Sequence, residues 1–368
     1  MKKVGILTGG GDAPGLNAVI RAVVIRLARE KSQPFHAIGF VDGWAGLRDN
    51  ITLPLETFKV VQILHEGGTI LGTSRTNLYK NPEDVSKAVA VYKKLELDAL
   101  VAIGGDDTLE IGYYLHRDHG LNIVGVPKTI DNDVLGTDFT FGFWSSVEQA
   151  THAVDALRVT TMSHHRVMVI ECMGRHAGWI AAYTGLAGEA DFIAVPEKPV
   201  HINDIAREVK HARSLGKLHS IVVIAEGASI AGIEVKPRVI RDRNGQWALS
   251  EKIERDSFGN VVMKSGEVAD AVATAIEKLT GFETRAIALG HLQRGGAPSA
   301  YDRILGTRYG VQAAEAVIQG QFGSLVVLRG LDVLTEPMKG TLRETQTEKK
   351  RYKYLPEAFL KICEVFFG

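Results

Sequence analysis

Residues 122–133 read Asn-Ile-Val-Gly-Val-Pro-Lys-Thr-Ile-Asp-Asn-Asp, and this stretch decides the fold class. Its first five residues form a short apolar run that is typical of a buried strand, and charged side chains follow directly after it. A second apolar run, residues 99–103, ends in Gly104-Gly105-Asp106-Asp107-Thr108. Ligands of open α/β sheets bind outside the carboxyl ends of the strands. The two stretches therefore predict adjacent strands that bring four aspartates to one crevice.

Apolar runs of this kind recur along the chain and alternate with helical patterns. Such alternation is typical of parallel sheets covered on both faces, so the predicted class is α/β and doubly wound. The predicted strands are 3–8, 36–41, 99–103, 122–126, 166–172, 192–195, 220–225, 284–289 and 325–328, and the predicted helices are 16–31, 84–95 and one between Ser265 and Gly281. Between Ala228 and Gly266, Asn244-Gly245 and Gly259-Asn260 predict one or two inserted hairpins.

Composition limits the classes of function. The 368 residues are 45% hydrophobic and 23% charged, as expected for a globular protein of one or two domains. The 43 basic and 43 acidic side chains balance, so we expect neither a nucleic-acid nor a membrane partner, and anion recognition must be local. Cys172 and Cys363 are too few for a disulfide framework, which favours a cytoplasmic location. The charged stretch 347–353 is expected to be solvated surface.

A glycine-rich loop, Gly9 to Gly15, lies between the first predicted strand and the helical run 16–31. Backbone amides and a helix N-terminus in such a loop can hold phosphate. A tight strand-to-helix turn without a ligand is the structural alternative. The loop lacks the spacing of the dinucleotide fingerprint, which counts against a dinucleotide-binding oxidoreductase, the competing enzyme class.

Adjacent acidic side chains at Asp106 and Asp107 repel each other and need a compensating cation. Mg²⁺ that bridges phosphates is a natural one, because it keeps several waters and needs only one or two protein carboxylates. Asp106 is the predicted metal anchor. An aspartate that caps the helix beginning near Thr108 would explain one of the two residues but not both.

The segment Lys128 to Asp133 contains the groups that phosphoryl transfer requires. In an extended segment Asp131 and Asp133 face the same side while Asn132 faces away, so one carboxylate can act as base and the other can support it. Lys128 is then the local cation that neutralises charge on the transferring group. The alternative is an Asp-Asn-Asp turn held by hydrogen bonds between side chains and backbone.

These motifs resemble those of the 6-phosphofructokinase family, and the resemblance extends over nearly the whole chain. Further stretches that support it are 72–75 (Gly-Thr-Ser-Arg), 171–178 (Glu-Cys-Met-Gly-Arg-His-Ala-Gly), 225–227 (Ala-Glu-Gly), Thr284-Arg285 and 290–296 (Gly-His-Leu-Gln-Arg-Gly-Gly). The resemblance implies two similar doubly wound domains with parallel-rich sheets. The expected division is a larger domain with the phosphoryl-donor site, residues 1–142 plus 293–343, and a smaller one with the sugar-phosphate site, residues 143–292 plus 344–368.

The implied reaction is attack of the C1 hydroxyl of fructose 6-phosphate on a magnesium-bound phosphoryl donor, which gives fructose 1,6-bisphosphate. Asp131 would be the base, supported by Thr129 and Asp133, with Lys128 and Arg175 near the transferring group. The implied donor-binding residues are Gly11, Arg75, Asp107, Thr108 and Lys128, and the implied substrate-binding residues are Thr129, Asp131, Arg166, Met173, Gly174, Arg175, Glu226, Arg285, His291 and Arg294. A catalytically silent sugar-phosphate sensor would lack the base or the metal anchor, and both are present.

In relatives two of the phosphate-binding arginines come from a neighbouring subunit, so the resemblance implies a homodimer or homotetramer in which Arg166 and Arg285 complete a neighbouring site.

The donor is decided by other residues. ATP-using bacterial members usually carry glycine at the positions of Asp107 and Lys128. The Asp107 carboxylate would repel the α-phosphate of ATP, and Lys128 could stabilise a pyrophosphate leaving group.

Bulky Ile111 stands where ATP-using members often have a glycine near the adenine. These departures resemble the pyrophosphate-dependent phosphofructokinases, whose reaction runs readily in both directions. Because some ATP-dependent relatives share the lysine, ATP-dependent 6-phosphofructokinase is the alternative, and Asp107 carries most of the distinction.

Overall fold

The structure, a computed structural model, describes residues 1–233, 238–241, 247–250, 266–341 and 352–367. The strands are β1 (Lys2–Thr8), β2 (Phe35–Phe40), β3 (Thr52–Pro54), β4 (Ala99–Gly104), β5 (Ile123–Pro127), β6 (Val167–Cys172), β7 (Phe192–Ala194), β8 (Val200–His201), β9 (Ser220–Ala225), β10 (Ile230–Ala231), β11 (Arg238–Arg241), β12 (Trp247–Ser250), β13 (Thr284–Ala288), β14 (Ser324–Arg329) and β15 (Asp332–Pro337).

The helices are α1 (Leu16–Ala28), α2 (Trp44–Asp49), α3 (Thr57–Val60), α4 (Pro82–Lys94), α5 (Asp106–His119), α6 (Phe143–Ser163), α7 (Trp179–Ala187), α8 (Ile202–Ser214), α9 (Glu267–Thr280), α10 (Ala300–Gln319), α11 (Met338–Thr341) and α12 (Glu357–Phe367). Short 3-10 helices cover Ile63–His65, Leu78–Lys80 and Gly290–Arg294. In the described part of the chain, no helix has the length and apolar character that a bilayer span requires.

The chain forms two compact units. The first unit comprises Met1–Ser146 and Arg294–Lys353, and the second comprises Val147–Gln293 and Tyr354–Gly368. A seven-stranded sheet in the first unit has the order β15-β14-β5-β4-β1-β2-β3, and a four-stranded sheet in the second has the order β13-β6-β9-β7. The second sheet is wholly parallel, and the first is parallel except at its two edge pairs, β2-β3 and β14-β15.

The central strands are buried along their whole length because helices cover both faces of each sheet. Every residue of β4, β5, β6 and β9 is buried, as the continuous apolar runs predict. The predicted α/β class with parallel-rich sheets is confirmed, and each of the nine predicted strands corresponds to one of the strands above. The short antiparallel edge strands β3 and β15 were not predicted, since their residues alternate between partly buried and exposed positions.

The predicted helices are also present, with α9 ending at Gly281 in the left-handed conformation (φ 76°). In the inserted region, β11 and β12 pair as an antiparallel hairpin whose connection contains Asn244-Gly245, as predicted. The second hairpin signal, Gly259-Asn260, lies outside the described residues.

Helices α1 and α10 pack closely on one face of the first sheet. A Cβ on Gly310 would lie 2.5 Å from the carbonyl oxygen of Val19, so only glycine permits this approach of the two backbones. The contact fixes α1, and with it the loop between β1 and α1, against the sheet.

Candidate active site

Three loops leave the first sheet at the carboxyl ends of adjacent strands. β1, β4 and β5 are parallel neighbours, with Thr8 opposite Ile103 and Gly104 opposite Pro127. The glycine loop follows β1, the acidic start of α5 follows β4, and the segment 128–133 follows β5. The predicted adjacency of the two acidic stretches is confirmed by this register.

The glycine loop is packed against the first turn of α5. A Cβ on Gly9 would lie 2.6 Å from Oγ1 of Thr108, and one on Gly104 would lie 2.4 Å from its Cβ, so both positions require glycine. Gly10 adopts φ 83°, and its amide donates to the carbonyl of Ser74 at 3.0 Å. Thr108 is buried, with Gly9 of the glycine loop and Gly104 at the end of β4 packed against it. The loop is therefore held in place by its surroundings.

Lys128 is a buried cation at the base of this loop. Only 3% of its surface is exposed, and its Nζ donates to the carbonyl of Gly11. Burial, and after it the positive charge of Arg294, lower the pKa of Lys128 to about 7, although Asp12 and Asp131 oppose the shift. A bound polyanion would stabilise the charged form.

Two arginines add positive charge beside the same loop. Nη1 of Arg294 donates to the carbonyl of Asp12 at 2.8 Å and lies so close to Gly11 that a Cβ there would be 2.6 Å away. Arg75 is exposed and also lowers the pKa of Lys128 through its charge. The predicted donor-binding residues Gly11, Arg75 and Lys128 thus come together, and Arg294, expected at the sugar phosphate, joins this group in the first unit.

The segment 129–133 is not extended. Asn132 has a left-handed backbone (φ 52°), so the prediction that its two neighbours face one side through strand alternation is wrong in its geometry. Asp131 and Asp133 nevertheless interact, because burial and then the charge of Asp131 raise the pKa of Asp133 to about 7. Oγ1 of Thr129 accepts from the amide of Asp131 at 3.1 Å. Oδ1 of Asp131 is buried and makes no hydrogen bond within the described residues.

Lys353 holds this segment from the far end of the chain. Its Nζ donates to Oδ1 of Asn132 at 2.8 Å and to the carbonyls of Thr137 and Asp138 at 3.0 and 2.7 Å. The expectation of a solvated surface is wrong for Lys353, and residues 347–351 of that stretch lie outside the described residues. Nothing in the sequence beyond an ordinary run of charges signals this lysine, because its role depends on a tertiary contact.

Asp106 and Asp107 form the first turn of α5, where carboxylates are favoured by the helix dipole. Among the described residues there is no group of three or more His, Cys, Asp or Glu side chains that could hold a metal ion by itself. A cation here would need phosphate oxygens and water to fill its coordination, which is how Mg²⁺ is usually bound beside phosphates. The acidic first turn of α5 fits such a site.

A second group of predicted residues lies at the carboxyl ends of β6 and β9. Met173 to Arg175 follow β6, Glu226 follows β9, and Nε of Arg175 lies 3.9 Å from Oε1 of Glu226. Gly174 has φ 132° and its carbonyl accepts from the amide of Gly227 at 3.1 Å. His291 lies in the exposed turn beyond β13, the parallel neighbour of β6, and so at the same edge.

Arg166 and Arg285 lie at the opposite end of the same strands. Arg166 precedes β6, Arg285 is the second residue of β13, and both contact Oε1 of Glu283, at 2.9 and 2.6 Å. The hydrogen bond from Arg166 lowers the pKa of Glu283. Because β6 has six residues and a strand rises about 3.3 Å per residue, roughly 20 Å separate these arginines from Arg175.

A model of the phosphofructokinase family, described as "Phosphofructokinase", matches residues 3–317. The chain belongs to the phosphofructokinase family. The match covers every loop described above, whereas Lys353 lies beyond it. Membership of this family rules out the dinucleotide-binding oxidoreductases. Membership also accounts for the paired α/β units, since the family match runs through both.

Similar phosphofructokinases include enzymes named for different donors. The pyrophosphate--fructose 6-phosphate 1-phosphotransferase of Amycolatopsis methanolica is 46% identical over 368 residues, which is 100% of both chains. The ATP-dependent 6-phosphofructokinase 3 of Streptomyces coelicolor is 44% identical over 331 residues, 90% of this chain and 92% of that protein. The crystal structure of a pyrophosphate-dependent phosphofructokinase from Nitrosospira multiformis, at 20% identity, shares the fold with a TM-score of 0.79 and covers 97% of this chain and 86% of that one.

Proposed function

We propose that this phosphofructokinase transfers a phosphoryl group reversibly between pyrophosphate and the C1 hydroxyl of fructose 6-phosphate. The observation that carries the proposal is the carboxylate of Asp131. Its Oδ1 is buried, makes no hydrogen bond among the described residues, and shares a loop with the buried cation Lys128. An unpartnered buried oxygen costs free energy unless a substrate group donates to it. A sugar hydroxyl is such a donor.

In the forward direction the C1 hydroxyl loses its proton to Asp131 as its oxygen attacks phosphorus. A new bond forms between that oxygen and phosphorus, the bond from phosphorus to the bridging oxygen of pyrophosphate breaks, and orthophosphate leaves. Lys128 and Arg175 neutralise charge that develops on the transferring group. Thr129 and Asp133 keep Asp131 in position.

The donor phosphates would lie over the glycine loop, where Gly11, Arg75, Thr108 and Lys128 surround them. Asp106 would anchor Mg²⁺. When bound, this ion would neutralise phosphate charge and draw electrons from the reacting phosphorus.

The choice between pyrophosphate and ATP rests on side chains, since relatives named for each donor are 46% and 44% identical to this chain. Asp107 stands in the first turn of α5, next to the residue that packs against the glycine loop. A carboxylate there repels an additional phosphate of a nucleotide more than it repels pyrophosphate, which ends one phosphate earlier. Lys128 supplies a cation for the leaving phosphate. Ile111 is buried, and its bulk is weaker evidence against ATP than the charge of Asp107.

The sugar phosphate would bind through Met173, Gly174, Arg175, Glu226 and His291, which share one edge of the second sheet, and through arginines. Arg166 and Arg285 lie at the other end of the strands, paired to Glu283. We therefore propose that these two arginines serve the site of a neighbouring subunit in a homodimer or homotetramer. The first unit would bind the donor and the second the sugar phosphate, in a cytoplasmic enzyme whose two cysteines are buried thiols.

The test is a steady-state assay of fructose 6-phosphate with pyrophosphate or ATP, each with Mg²⁺, on wild type and Asp131→Asn. We expect pyrophosphate to give the far higher kcat/KM and Asp131→Asn to lose roughly 10²- to 10⁴-fold in kcat. Asp118→Asn, which removes an equal charge from an exposed ion pair with Arg117, is the matched control and should retain activity. Comparable use of ATP by the wild type would refute the donor assignment, and an active Asp131→Asn enzyme would refute the base.

A further inference from the structure

The ammonium group of Lys353 has a complete set of acceptors within one short segment. It donates to Oδ1 of Asn132, to the carbonyl of Thr137 and to the carbonyl of Asp138, all within 3.0 Å. An ammonium group has three N–H donors and no acceptor. All three donors are therefore satisfied by the loop that carries the proposed base.

The backbone of Lys353 is tied to the same loop. Its amide donates to the carbonyl of Asp133 at 2.9 Å, and its Nζ lies 5.8 Å from the ring centroid of Phe139. Main-chain and side-chain contacts thus span residues 132 to 139. This segment lies between β5 and α6, contains Asp133 and begins directly after Asp131, the proposed base.

The contact with Asn132 is the one closest to the chemistry. Asn132 is fully buried and left-handed, and its Oδ1 also accepts from the amide of Thr140 at 3.1 Å. A left-handed asparagine is strained and persists only where its surroundings determine it. The direction of Asp131, its immediate neighbour, depends on this backbone conformation.

We propose that Lys353 is a positioning residue that fixes Asn132 in its left-handed conformation and thereby aims the carboxylate of Asp131 at the acceptor hydroxyl. The inference rests on the proposed function, because it assigns Asp131 as the base. Lys353 touches no substrate in this account. It acts through the loop, whose main-chain carbonyls it binds although it lies more than 200 positions further along the chain.

Two carboxylates partly compensate the burial of the Lys353 ammonium group. Burial lowers the pKa of Lys353 to about 7, and the carboxylates of Asp133 and Asp138 oppose that shift. A substitution that keeps the length of the side chain but removes its donors leaves the carbonyls of Thr137 and Asp138 without this donor, and leaves Oδ1 of Asn132 with donors from Thr140 only. The loop can then relax to other backbone conformations, and a misplacement of the base by about 1 Å costs about 10²-fold in rate.

The experiment compares Lys353→Met in the wild-type and Asp131→Asn backgrounds. Assays use the purified full-length enzyme with fructose 6-phosphate, Mg²⁺ and pyrophosphate. We expect Lys353→Met to lower kcat by about 10²-fold in the wild-type background, with the KM for pyrophosphate changed less than about threefold. In the Asp131→Asn background the same substitution should cost less than about threefold, because residues that act through one another are not additive.

Two further measurements separate positioning from general stability. Saturating n-butylamine should restore at least about tenfold of the lost kcat to Lys353→Ala, since the amine can fill the vacated donor position. Amide hydrogen exchange should rise in residues 129–140 of Lys353→Met and stay unchanged elsewhere in the first unit. Lys361→Met removes an exposed lysine of the same C-terminal stretch and should be silent in each assay.

Equal losses in both backgrounds, no amine rescue, or exchange that rises throughout the first unit would overturn the inference. Failure of the proposed function gives a different result, because the wild type would then fail with pyrophosphate. If the wild type used ATP instead, the same series would be measured with ATP and would decide the role of Lys353 independently.

Discussion

Lys128 offers the sharpest test of how this active site holds its donor. Its Nζ is buried at the glycine loop, where a Cβ on Gly10 would lie 3.5 Å from it. The perturbation is Lys128→Met, which keeps most of the volume of the side chain but removes its charge and its donors. Lys128→Arg is the companion variant, since it keeps the charge.

The magnitude follows from the position of the ammonium group. Two unit charges 4 Å apart interact by about 4 kcal/mol at the effective dielectric of a protein surface. Part of this is lost to desolvation, and hydrogen bonds to charged groups contribute about 1.5 to 3 kcal/mol net. At 1.36 kcal/mol for each factor of ten, Lys128→Met should lower kcat/KM for pyrophosphate by about 10- to 150-fold.

The pH dependence supplies an independent signature. Because burial lowers the pKa of Lys128 to about 7, the free enzyme loses this cation as the pH rises through that value. We therefore expect kcat/KM for pyrophosphate to fall with a slope of one proton above about pH 7 in the wild type. Lys128→Arg should lack the part of this fall that comes from Lys128, because arginine stays protonated. Ionisation of pyrophosphate, of Asp133 and of Lys353 is common to both enzymes and cancels in the comparison.

The assay is steady-state turnover with varied pyrophosphate at saturating fructose 6-phosphate from pH 6 to 9. Thermal unfolding of each variant confirms that it is folded at the assay temperature. The reasoning is refuted if folded Lys128→Met keeps kcat/KM for pyrophosphate within threefold of the wild type, or if Lys128→Arg shows the same alkaline fall.

Two further predictions follow from the same geometry. Asp107→Gly should raise kcat/KM for ATP at least about fivefold, because like-charge repulsion of about 1 to 4 kcal/mol disappears; an unchanged ratio of pyrophosphate to ATP use would contradict the electrostatic argument. A second experiment mixes a chain that carries Arg166→Ala and Arg285→Ala with an Asp131→Asn chain and lets the two reassemble. About one quarter of wild-type activity should return if the arginines serve the neighbouring site of a two-fold dimer. If they serve their own chain, activity stays at the level of the separate variants.

Much of the fold was predictable because the central strands are apolar on consecutive positions. The runs at residues 99–103 and 122–126 became β4 and β5, which pair in register and bring the acidic stretches together. Edge strands such as β15 carry no such signal, since one face is solvated and the residues alternate in burial. The sequence also predicted the glycine loop, and the structure shows that this loop packs closely against Thr108.

Two features of the candidate site could not be predicted from residue types. The left-handed conformation of Asn132 is a single dihedral choice in a polar loop, and it replaced the expected strand alternation of Asp131 and Asp133. Lys353 is more than 200 positions from that loop and resembles the surface charges around it in sequence. Both features depend on a tertiary contact, and residue patterns along the chain do not predict such contacts.

The two carboxylates of this loop suggest how proton transfer is compensated within the site. Burial, and after it the like charge of Asp131, raise the pKa of Asp133 to about 7. When Asp131 takes up the proton of the C1 hydroxyl, that repulsion ends and the negative charge of Asp133 is stabilised. Proton uptake by the base is therefore compensated within the loop, and its return in the reverse reaction restores the repulsion.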